Sequence, residues 1–294
     1  MQPKDTFFSR KLTINCGGEL IDLSEPKIMA ILNVTPDSFY DGGKYTSKEE
    51  VINCVNKIIN DGGDIIDVGA YSSRPGASNI SADEELKRLS PVLEILRTEF
   101  SGLIISVDTF RSDVARKVVN DFKVDIINDI SAGDLDAKMF ETVAELNIPY
   151  VMMHMKGTPQ NMQKDPQYDN VVKEVMDYFS EKIEKLKLLG VNDVIIDPGF
   201  GFGKSVDHNF QLLKHMDDFK IFELPVLVGV SRKSMINKVL EVTPDKALNG
   251  TTVINTMALL NGANILRVHD VKEAKEAIKL TSKFLNAKVD NWHE

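Results

Sequence analysis

The stretch LIISVDTFRSDVARKVVNDFKVDIIND, residues 103–129, decides the fold. It begins with an apolar run at 103–107, ends with another at 124–127, and carries the periodicity of an amphipathic helix between them, at 113–120. Both runs are almost continuously apolar and rich in Val and Ile, which is typical of parallel strands that are buried on both faces. The stretch therefore predicts a strand, a crossover helix and a second strand parallel to the first.

The same unit recurs on both sides of this stretch. Further apolar runs of strand length occur at 28–32, 64–68, 148–153, 193–196, 225–230 and 264–268. Helical patterns are found at 136–146, 170–189, 208–216, 233–240, 251–260 and 271–285, and the S-x-x-E capping boxes Ser47 with Glu50 and Ser81 with Glu84 predict the starts of two more helices. The chain thus contains eight candidate strands, and a helical segment follows each of them.

Eight such units without a Pro-, Gly- or Ser-rich linker predict a single domain over residues 1–294. The fold class is α/β, and the number of units favours a (β/α)8 TIM barrel. A short β-hairpin over 12–21, turning at Gly17 and Gly18, precedes the barrel. A doubly wound open sheet is the structural alternative, because the periodicity alone does not distinguish the two.

Composition and charge narrow the classes of partner. The formal net charge of -9 and the pI of about 5.2 disfavour binding to nucleic acid or to an anionic membrane surface. The N-terminal residues lack the apolar region of a signal peptide, and the chain contains no apolar run of bilayer-spanning length. Cys16 and Cys54 lack the spacing of a zinc site or a disulfide scaffold. We therefore expect a cytoplasmic protein with no nucleic acid and no membrane partner.

Polar residues follow nearly every predicted strand, at the barrel end where active sites of this fold lie. They are Asn33, Ser73, Arg74, Asp108, Asn128, His154, Asp197, Lys233, Arg267 and His269. Any one of them is explained by capping of the following helix, but the complete ring is not. His154 lies among methionines at 152–155 and is interpreted as a packed histidine without a catalytic role.

The side chains of this ring suggest two kinds of binding site. Asp108 and Asp197 follow apolar runs, so their carboxylates need donor partners, and Asn128 and Lys233 add further hydrogen-bonding groups. Together they predict a pocket for a planar, nitrogen-rich ligand. Arg267 and His269 lie two residues apart and would face the same side of a continuing strand, where with Asn33 they predict an anion site suited to a diphosphate.

Two loops add to this prediction. Asn33 is an oxygen ligand suited to Mg2+, and Asp41 in a glycine-rich loop can complete the ion's ligand shell. The segment DPGFGFGK, 197–204, does not match a phosphate-binding loop, because Pro198 stands where the first glycine is required. We interpret it as a wall of closely approaching backbone with Phe202 available for stacking.

Taken in order, these motifs resemble those of the bacterial dihydropteroate synthases over about residues 12–285. The matching segments are ILNVTPDSF (31–39), DGG (41–43), GAYSSRPG (69–76), SVDT (106–109), IND (127–129), MHM (153–155), DPGFGFGK (197–204), SRKS (231–234) and RVHD (267–270). Their order and their position at successive strand ends make the resemblance specific, although each motif alone is weak.

The resemblance implies a transferase of folate biosynthesis. It would condense 6-hydroxymethyl-7,8-dihydropterin diphosphate with p-aminobenzoate, giving 7,8-dihydropteroate and diphosphate, by dissociative (SN1-like) substitution at the pterin methylene. By the same resemblance the pterin contacts Asp108, Asn128, Asp197 and Lys233, the diphosphate contacts Asn33, Ser73, Arg267 and His269, and Mg2+ is bound by Asn33 and Asp41. p-Aminobenzoate would contact Phe39, Ser73, Arg74, Pro75, Phe202 and Ser234. The catalytic set is Asp108, Lys233, Arg267 and His269, and a sulfonamide-targeted homodimer is expected.

The sequence departs from the family pattern at one place, and two alternative functions remain. The usual Ser-Thr-Arg-Pro reads Ser-Ser-Arg-Pro at 72–75, after Tyr71 where a polar residue is common, which puts selectivity for p-aminobenzoate in doubt. A folate/corrinoid pterin methyltransferase shares the fold and the acidic pocket, but it has no need of an anion site. A non-catalytic pterin-binding protein is the other alternative, although each motif keeps its polar residues.

Overall fold

The computed structural model describes residues 12–34, 48–71, 80–158, 162 and 166–288. The described chain begins with an antiparallel hairpin of two strands, β1 (Thr13–Cys16) and β2 (Glu19–Asp22). Its turn places Gly17 and Gly18 at φ 61° and 98°, a left-handed conformation that glycine adopts without a steric penalty. The predicted hairpin and its turning point are both confirmed.

Eight parallel strands follow the hairpin and form one sheet. They are β3 (Lys27–Asn33), β4 (Ile65–Gly69), β5 (Ile104–Asp108), β6 (Ile126–Asp129), β7 (Tyr150–Met153), β8 (Val194–Asp197), β9 (Leu227–Val228) and β10 (Ile265–Val268). β10 pairs with both β3 and β9, and a bridge between Ile196 and Val226 joins β8 to the chain entering β9. The nearly closed ring confirms the barrel and excludes the open doubly wound sheet.

Helices alternate with the strands around the barrel. Their bounds are α1 (Lys48–Asn60), α2 (Ala82–Glu99), α3 (Ser112–Phe122), α4 (Met139–Leu146), α5 (Val171–Leu188), α6 (Val206–Lys214), α7 (Ser234–Leu240), α8 (Leu248–Leu260) and α9 (Val271–Leu285), with 3-10 helices at Met216–Phe222 and Pro244–Lys246. Every helical segment predicted from the sequence overlaps one of these helices. In the described part of the chain, none of them is long and apolar enough to cross a membrane.

One predicted helix begins later than the sequence pattern indicates, and one predicted strand is shorter. The helix expected from residue 136 begins at Met139, because Asp136 instead accepts hydrogen bonds from the backbone N–H groups of Ser112 and Lys138. The strand expected over 225–230 shrinks to Leu227–Val228, since the chain turns after it and Lys233 N–H donates to Val230 O at 3.1 Å. Apolar composition extends through this turn, so it overestimates the length of the strand.

Helix capping is confirmed in part. Ser81 Oγ accepts a hydrogen bond from Glu84 N–H at 3.2 Å, as the capping box predicts for the start of α2. The Glu84 carboxylate pairs with Arg88. Ser47 lies outside the described residues, so the first capping box stays a prediction.

The barrel interior is filled at its amino end. One side chain from each of seven strands, together with three from the hairpin region, forms this inner layer: Met29, Ile65, Ile126, Val151, Ile195, Leu227, Ile265, Ile14, Cys16 and Leu23. All are buried and pack together, so the hairpin covers this end of the barrel. The free end of the barrel is the carboxyl end of its strands.

Candidate active site

The carboxyl ends of five strands bring five of the predicted residues to one edge of the barrel. Asn33, Asp108 and Asp197 are the last residues of β3, β5 and β8. Asn128 lies in β6 and Arg267 in β10, each next to the last residue of its strand. Parallel strands end on the same side of a barrel, and this side is the one that the hairpin leaves uncovered.

A polar network joins four strands at this end. Asp67 in β4 accepts hydrogen bonds from Ser106 Oγ at 2.6 Å, Asn128 Nδ2 at 3.0 Å and Arg267 Nε at 2.7 Å. Arg267 Nη2 also donates to Asp108 Oδ2 at 2.8 Å. Asp67 has no exposed surface, and it is the centre of the network. The polar network consists of Asp67, Ser106, Asp108, Asn128 and Arg267.

Sequence reasoning missed Asp67. It stands inside the apolar run 64–68, which was interpreted only as a strand, and its side chain was not considered. A carboxylate in the middle of a buried strand is nevertheless a signal, because it is tolerated there only with donor partners. The structure supplies three such donors.

Burial and charge set the proton affinity of Asp108. Burial raises the pKa of its carboxyl group to about 7, the Arg267 guanidinium opposes the shift, and the nearby Asp67 carboxylate adds to it. Burial alone would lower the pKa of Arg267, but its ion pairs with Asp67 and Asp108 hold that pKa above its usual value. Arg267 therefore stays charged while Asp108 can change its protonation state near neutral pH.

Lys233 reaches the site from the start of α7, where it is the N-cap residue. Its Nζ donates to the carbonyl oxygen of Phe200 and lies 4.5 Å from the centre of the Phe202 ring. Burial lowers the pKa of Lys233 to about 8, although the Asp197 carboxylate acts to raise it. A Cβ atom built on Gly229 would lie 3.9 Å from Lys233 Nζ and 3.7 Å from Arg267 Cβ, so Lys233 and Arg267 flank the same glycine.

Asp197 and the loop that follows it form the next wall of the site. Asp197 is buried, and its Oδ1 accepts from Gly199 N–H at 2.8 Å. Burial raises its pKa, and the positive charge of Lys233 counteracts that effect. Gly199 has φ 70°, and a Cβ atom there would lie 1.9 Å from the carbonyl oxygen of His154. The close backbone approach that the sequence predicted for this loop is therefore confirmed.

The 197–204 loop is held by a lysine that sequence reasoning had tested only as part of a phosphate-binding loop. Lys204 is buried, and its Nζ lies 2.9 Å from His154 Nδ1, 2.9 Å from Gly199 O and 3.1 Å from Phe202 O. Burial lowers the pKa of His154 to about 2, so its ring is neutral and can accept from the lysine. This agrees with the interpretation of His154 as a packed residue.

Asn33 lies beside Asp108 at the end of β3. A Cβ atom built on Gly69, between the two residues, would lie 3.6 Å from Asn33 Oδ1 and 3.8 Å from Asp108 Oδ2. Both oxygens are hard ligands of the kind that Mg2+ prefers. Among the described residues, no group of three His, Cys, Asp or Glu side chains could hold a metal ion, so the described chain offers only part of a ligand shell.

The remaining predicted residues are less closely joined to the site. β10 ends at Val268, so strand alternation does not extend to His269, whose side chain is exposed and whose N–H donates to Ser231 Oγ at 3.3 Å. Ser234 is the exposed first residue of α7, while Phe202 is half-buried against Lys233. The other residues lie outside the described residues: Phe39, Asp41, Ser73, Arg74 and Pro75.

The chain is similar to known proteins over most of its length. The family model described as pterin binding enzyme matches residues 29–269. Dihydropteroate synthase of Escherichia coli (strain K12) is 44% identical over 279 residues, covering 94% of this chain and 98% of the relative. The enzyme of the same name from Haemophilus influenzae is 40% identical over 278 residues, with 94% and 100% covered.

Solved structures show the same likeness. The Yersinia pestis dihydropteroate synthase in a sulfonamide drug complex superposes with a TM-score of 0.87 at 39% identity, covering 94% of this chain and 100% of that chain. The Xanthomonas albilineans enzyme with 4-aminobenzoic acid gives a TM-score of 0.86 at 36% identity, covering 94% and 99%. Since the family model and these relatives extend over most of the chain, it belongs to the pterin-binding enzymes and, within them, to the dihydropteroate synthase family.

Proposed function

We propose that this chain condenses 6-hydroxymethyl-7,8-dihydropterin diphosphate with p-aminobenzoate, giving 7,8-dihydropteroate and diphosphate in folate biosynthesis. The observation that carries the proposal is the polar network, in which two carboxylates, an amide and a guanidinium meet at the open end of the barrel. Such a set suits a flat heterocycle rich in N–H groups that carries an anion on one side. The relatives are named for this reaction.

The pterin ring is assigned to Asp108, Asn128, Asp197 and Lys233. Carboxylates accept from ring and amino N–H groups, while the lysine donates to a ring oxygen or nitrogen. The charges of Lys233 and Asp197 shift each other's pKa, the lysine lowering that of the carboxyl group and the carboxylate raising that of the amine, which supports placing both residues at one site. The polar groups of the ligand would replace water as hydrogen-bonding partners of these residues, of which Asn128 and Asp197 are buried and Asp108 and Lys233 are partly exposed.

The diphosphate is assigned to Asn33, Ser73, Arg267 and His269. Arg267 uses Nε and Nη2 for Asp67 and Asp108, which leaves further N–H donors of the guanidinium for an anion. The two carboxylates hold the guanidinium in one orientation, so little side-chain entropy is lost when the anion binds. His269 is exposed beside it and would contact the outer phosphate.

The metal assignment is Mg2+ on Asn33 and Asp41. The oxygen of Asn33 next to the Asp108 carboxylate fits this ion, which commonly keeps several waters and takes substrate phosphates as ligands. Bound there, the ion would neutralise charge on the departing diphosphate.

Substitution at the pterin methylene places positive charge on the pterin as diphosphate leaves. The Asp108 carboxylate is held towards the site by Arg267, and in its ionised form it would stabilise that charge. No strong base is needed, because the weakly basic aromatic amine attacks directly and loses its proton afterwards. Lys233, Arg267 and His269 complete the catalytic set.

p-Aminobenzoate is assigned to Phe39, Ser73, Arg74, Pro75, Phe202 and Ser234. Phe202 presents its ring beside Lys233 and next to an apolar cluster that includes Ile130, Met153 and Met155. An aromatic acid can stack there with its amine directed at the pterin methylene. Ser73 stands where the family usually has threonine. We therefore expect a difference in selectivity from relatives to lie on the p-aminobenzoate side of the site.

The test is direct incubation of the purified protein with the pterin diphosphate, labelled p-aminobenzoate and Mg2+. Formation of labelled dihydropteroate, and its loss on chelation of the metal, is the expected result. Folded protein that forms none would overturn the proposed function. A folate/corrinoid methyltransferase would instead transfer a methyl group and ignore p-aminobenzoate, and a non-catalytic protein would bind the pterin without turnover.

The pH dependence of kcat/KM should have the shape of a bell. Asp108 must be ionised, so activity should rise as the pH increases through about 7, the pKa at which half of its carboxyl groups have lost their proton. Lys233 must be protonated to donate, so activity should fall above about pH 8. In Lys233→Arg the falling limb should move to higher pH, and an unchanged limb would contradict the assignment to Lys233.

The dimer and its location in the cytoplasm are part of the proposal. Val253, Met257 and Leu260 are 43–46% exposed on one face of α8, and Leu280 and Phe284 are 74% and 69% exposed on the adjacent α9. An apolar surface of this kind marks an interface, and we propose that a second copy of the chain covers it.

Replacing Met257 by glutamate should therefore convert a dimer into a monomer in analytical ultracentrifugation. Ile221→Glu, at a residue that is 73% exposed in the 3-10 helix Met216–Phe222, is the matched control and should leave the mass unchanged. A wild-type monomer, or a dimer that persists in Met257→Glu, would contradict this interface.

A further inference from the structure

An ion pair joins the two loops that present Lys233 and His269. Arg232 immediately precedes Lys233, and Asp270 immediately follows His269. Arg232 Nε donates to Asp270 Oδ2 at 2.9 Å, and Nη2 donates to Oδ1 at 2.6 Å. Two parallel charge-assisted bonds of this kind fix distance and orientation together, which a lysine cannot do.

The backbone of Arg232 is strained, and several contacts hold it. Its φ is 56°, in the left-handed region where the Cβ atom of a non-glycine residue crowds the backbone. Its N–H donates to Thr251 Oγ1 at 3.0 Å, its carbonyl accepts from Asn237 Nδ2 at 3.0 Å, and its Nη1 donates to Pro244 O at 3.3 Å. Since Arg232 is held from several elements, the direction in which the chain enters Lys233 is fixed.

Asp270 pairs with Arg232 and does not cap its own helix with its side chain. It is the N-cap residue of α9, where an aspartate ordinarily accepts from the N–H groups of the first turn, and it makes no such side-chain bond. Both of its carboxylate oxygens bond to Arg232. The side chain thus serves the contact between loops in preference to the stability of its own helix.

From this arrangement we propose that Arg232 and Asp270 are positioning residues that hold Lys233 and His269 at a set separation. This proposal rests on the proposed function, in which Lys233 binds the pterin ring and His269 binds its diphosphate. The ion pair of Arg232 and Asp270 would match the spacing of the two loops to a ligand that carries both a pterin ring and a diphosphate. Neither residue needs to touch the substrate.

The test measures how much the diphosphate adds to binding. Calorimetry would give the affinity for the pterin diphosphate and for 6-hydroxymethyl-7,8-dihydropterin, which lacks only the diphosphate, in wild-type protein, Asp270→Asn and Arg232→Lys. If the pair sets the spacing, the ratio of the two affinities should fall by about 10-fold or more in both variants, the loss expected for a charge-assisted bidentate contact. kcat/KM for the pterin diphosphate should fall in parallel.

Lys275→Gln is the matched control. Lys275 pairs with Asp64 at 3.2 Å near the amino end of the barrel, with side-chain exposure of 27% and 26%, against 30% and 15% for Arg232 and Asp270. The Lys275→Gln variant should be less stable than wild-type protein, and its affinities for the two pterins should be unchanged. If the affinity ratio is unchanged in folded Arg232→Lys or Asp270→Asn, the proposal is wrong.

The ratio does not depend on turnover. A wild-type protein that binds both pterins but forms no dihydropteroate would refute the proposed function without refuting the positioning role.

Discussion

Replacing Asp108 by asparagine should lower kcat by about 10²- to 10³-fold, the loss typical of removing one preorganised electrostatic group from a transition state. The amide keeps the shape of the side chain and can still accept from Arg267 Nη2. It carries no charge, so it cannot stabilise the positive pterin that forms as diphosphate leaves. The affinity for the pterin should fall much less, because Asn128, Asp197 and Lys233 remain.

Steady-state kinetics and calorimetry on the same preparation would separate the two effects. Asp197→Asn is the informative comparison, since it removes a carboxylate from the other side of the pocket, one that bonds to its own loop at Gly199 N–H. It should weaken pterin binding more than it lowers kcat. Turnover of Asp108→Asn equal to that of wild-type protein would refute the catalytic role of Asp108.

The barrel could be predicted because each of its strands is recognisable in the sequence by its apolar composition. Parallel strands covered by helices on one face and by the barrel interior on the other must be largely apolar, and all eight runs overlap an observed strand. Closure was not predictable from periodicity, because it rests on the pairing of β10 with β3, the last strand of the barrel with the first. That contact joins distant parts of the chain and leaves no local pattern.

The site was predictable where a polar residue ends a strand. Asp108, Asn128, Asp197 and Arg267 were identified in this way, and the structure brings them to one end of the barrel. The ion pairs between these residues were not predictable. Arg267 was expected to bind only an anion, whereas it also donates hydrogen bonds to the carboxylates of Asp67 and Asp108. Which cation meets which carboxylate depends on neighbouring strands, and a single sequence does not give their separation.

The functional residues that the sequence analysis missed lie inside a strand or directly beside a recognised site residue. Asp67 was hidden in an apolar run, and Arg232 and Asp270 looked like parts of motifs whose other members had clearer chemistry. Each acts on a neighbour through hydrogen bonds that cross between strands or loops. A charged residue within a buried strand, or an arginine next to a site lysine, is the signal that would have identified them.

Asp67→Ala should lower the free energy of unfolding by about 3–5 kcal/mol, the usual cost of removing one partner from a buried ion pair. The substitution leaves Ser106 Oγ, Asn128 Nδ2 and Arg267 Nε without the acceptor that all three share. Urea denaturation of the two proteins measures the difference. Activity should also be lost, because Arg267 would then be held by Asp108 alone and the orientation of Asn128 would no longer be fixed.

Ser106→Ala separates the loss of a hydrogen bond from the loss of the charge. It removes one donor to Asp67 and leaves the pair with Arg267 intact, so the expected cost is about 1 kcal/mol with little change in activity. Asp67→Ala as stable as Ser106→Ala would show that Asp67 contributes only one ordinary hydrogen bond. A large difference between the variants would instead mean that the buried carboxylate holds the guanidinium in place, and that the strand interior, as well as the strand end, builds this site.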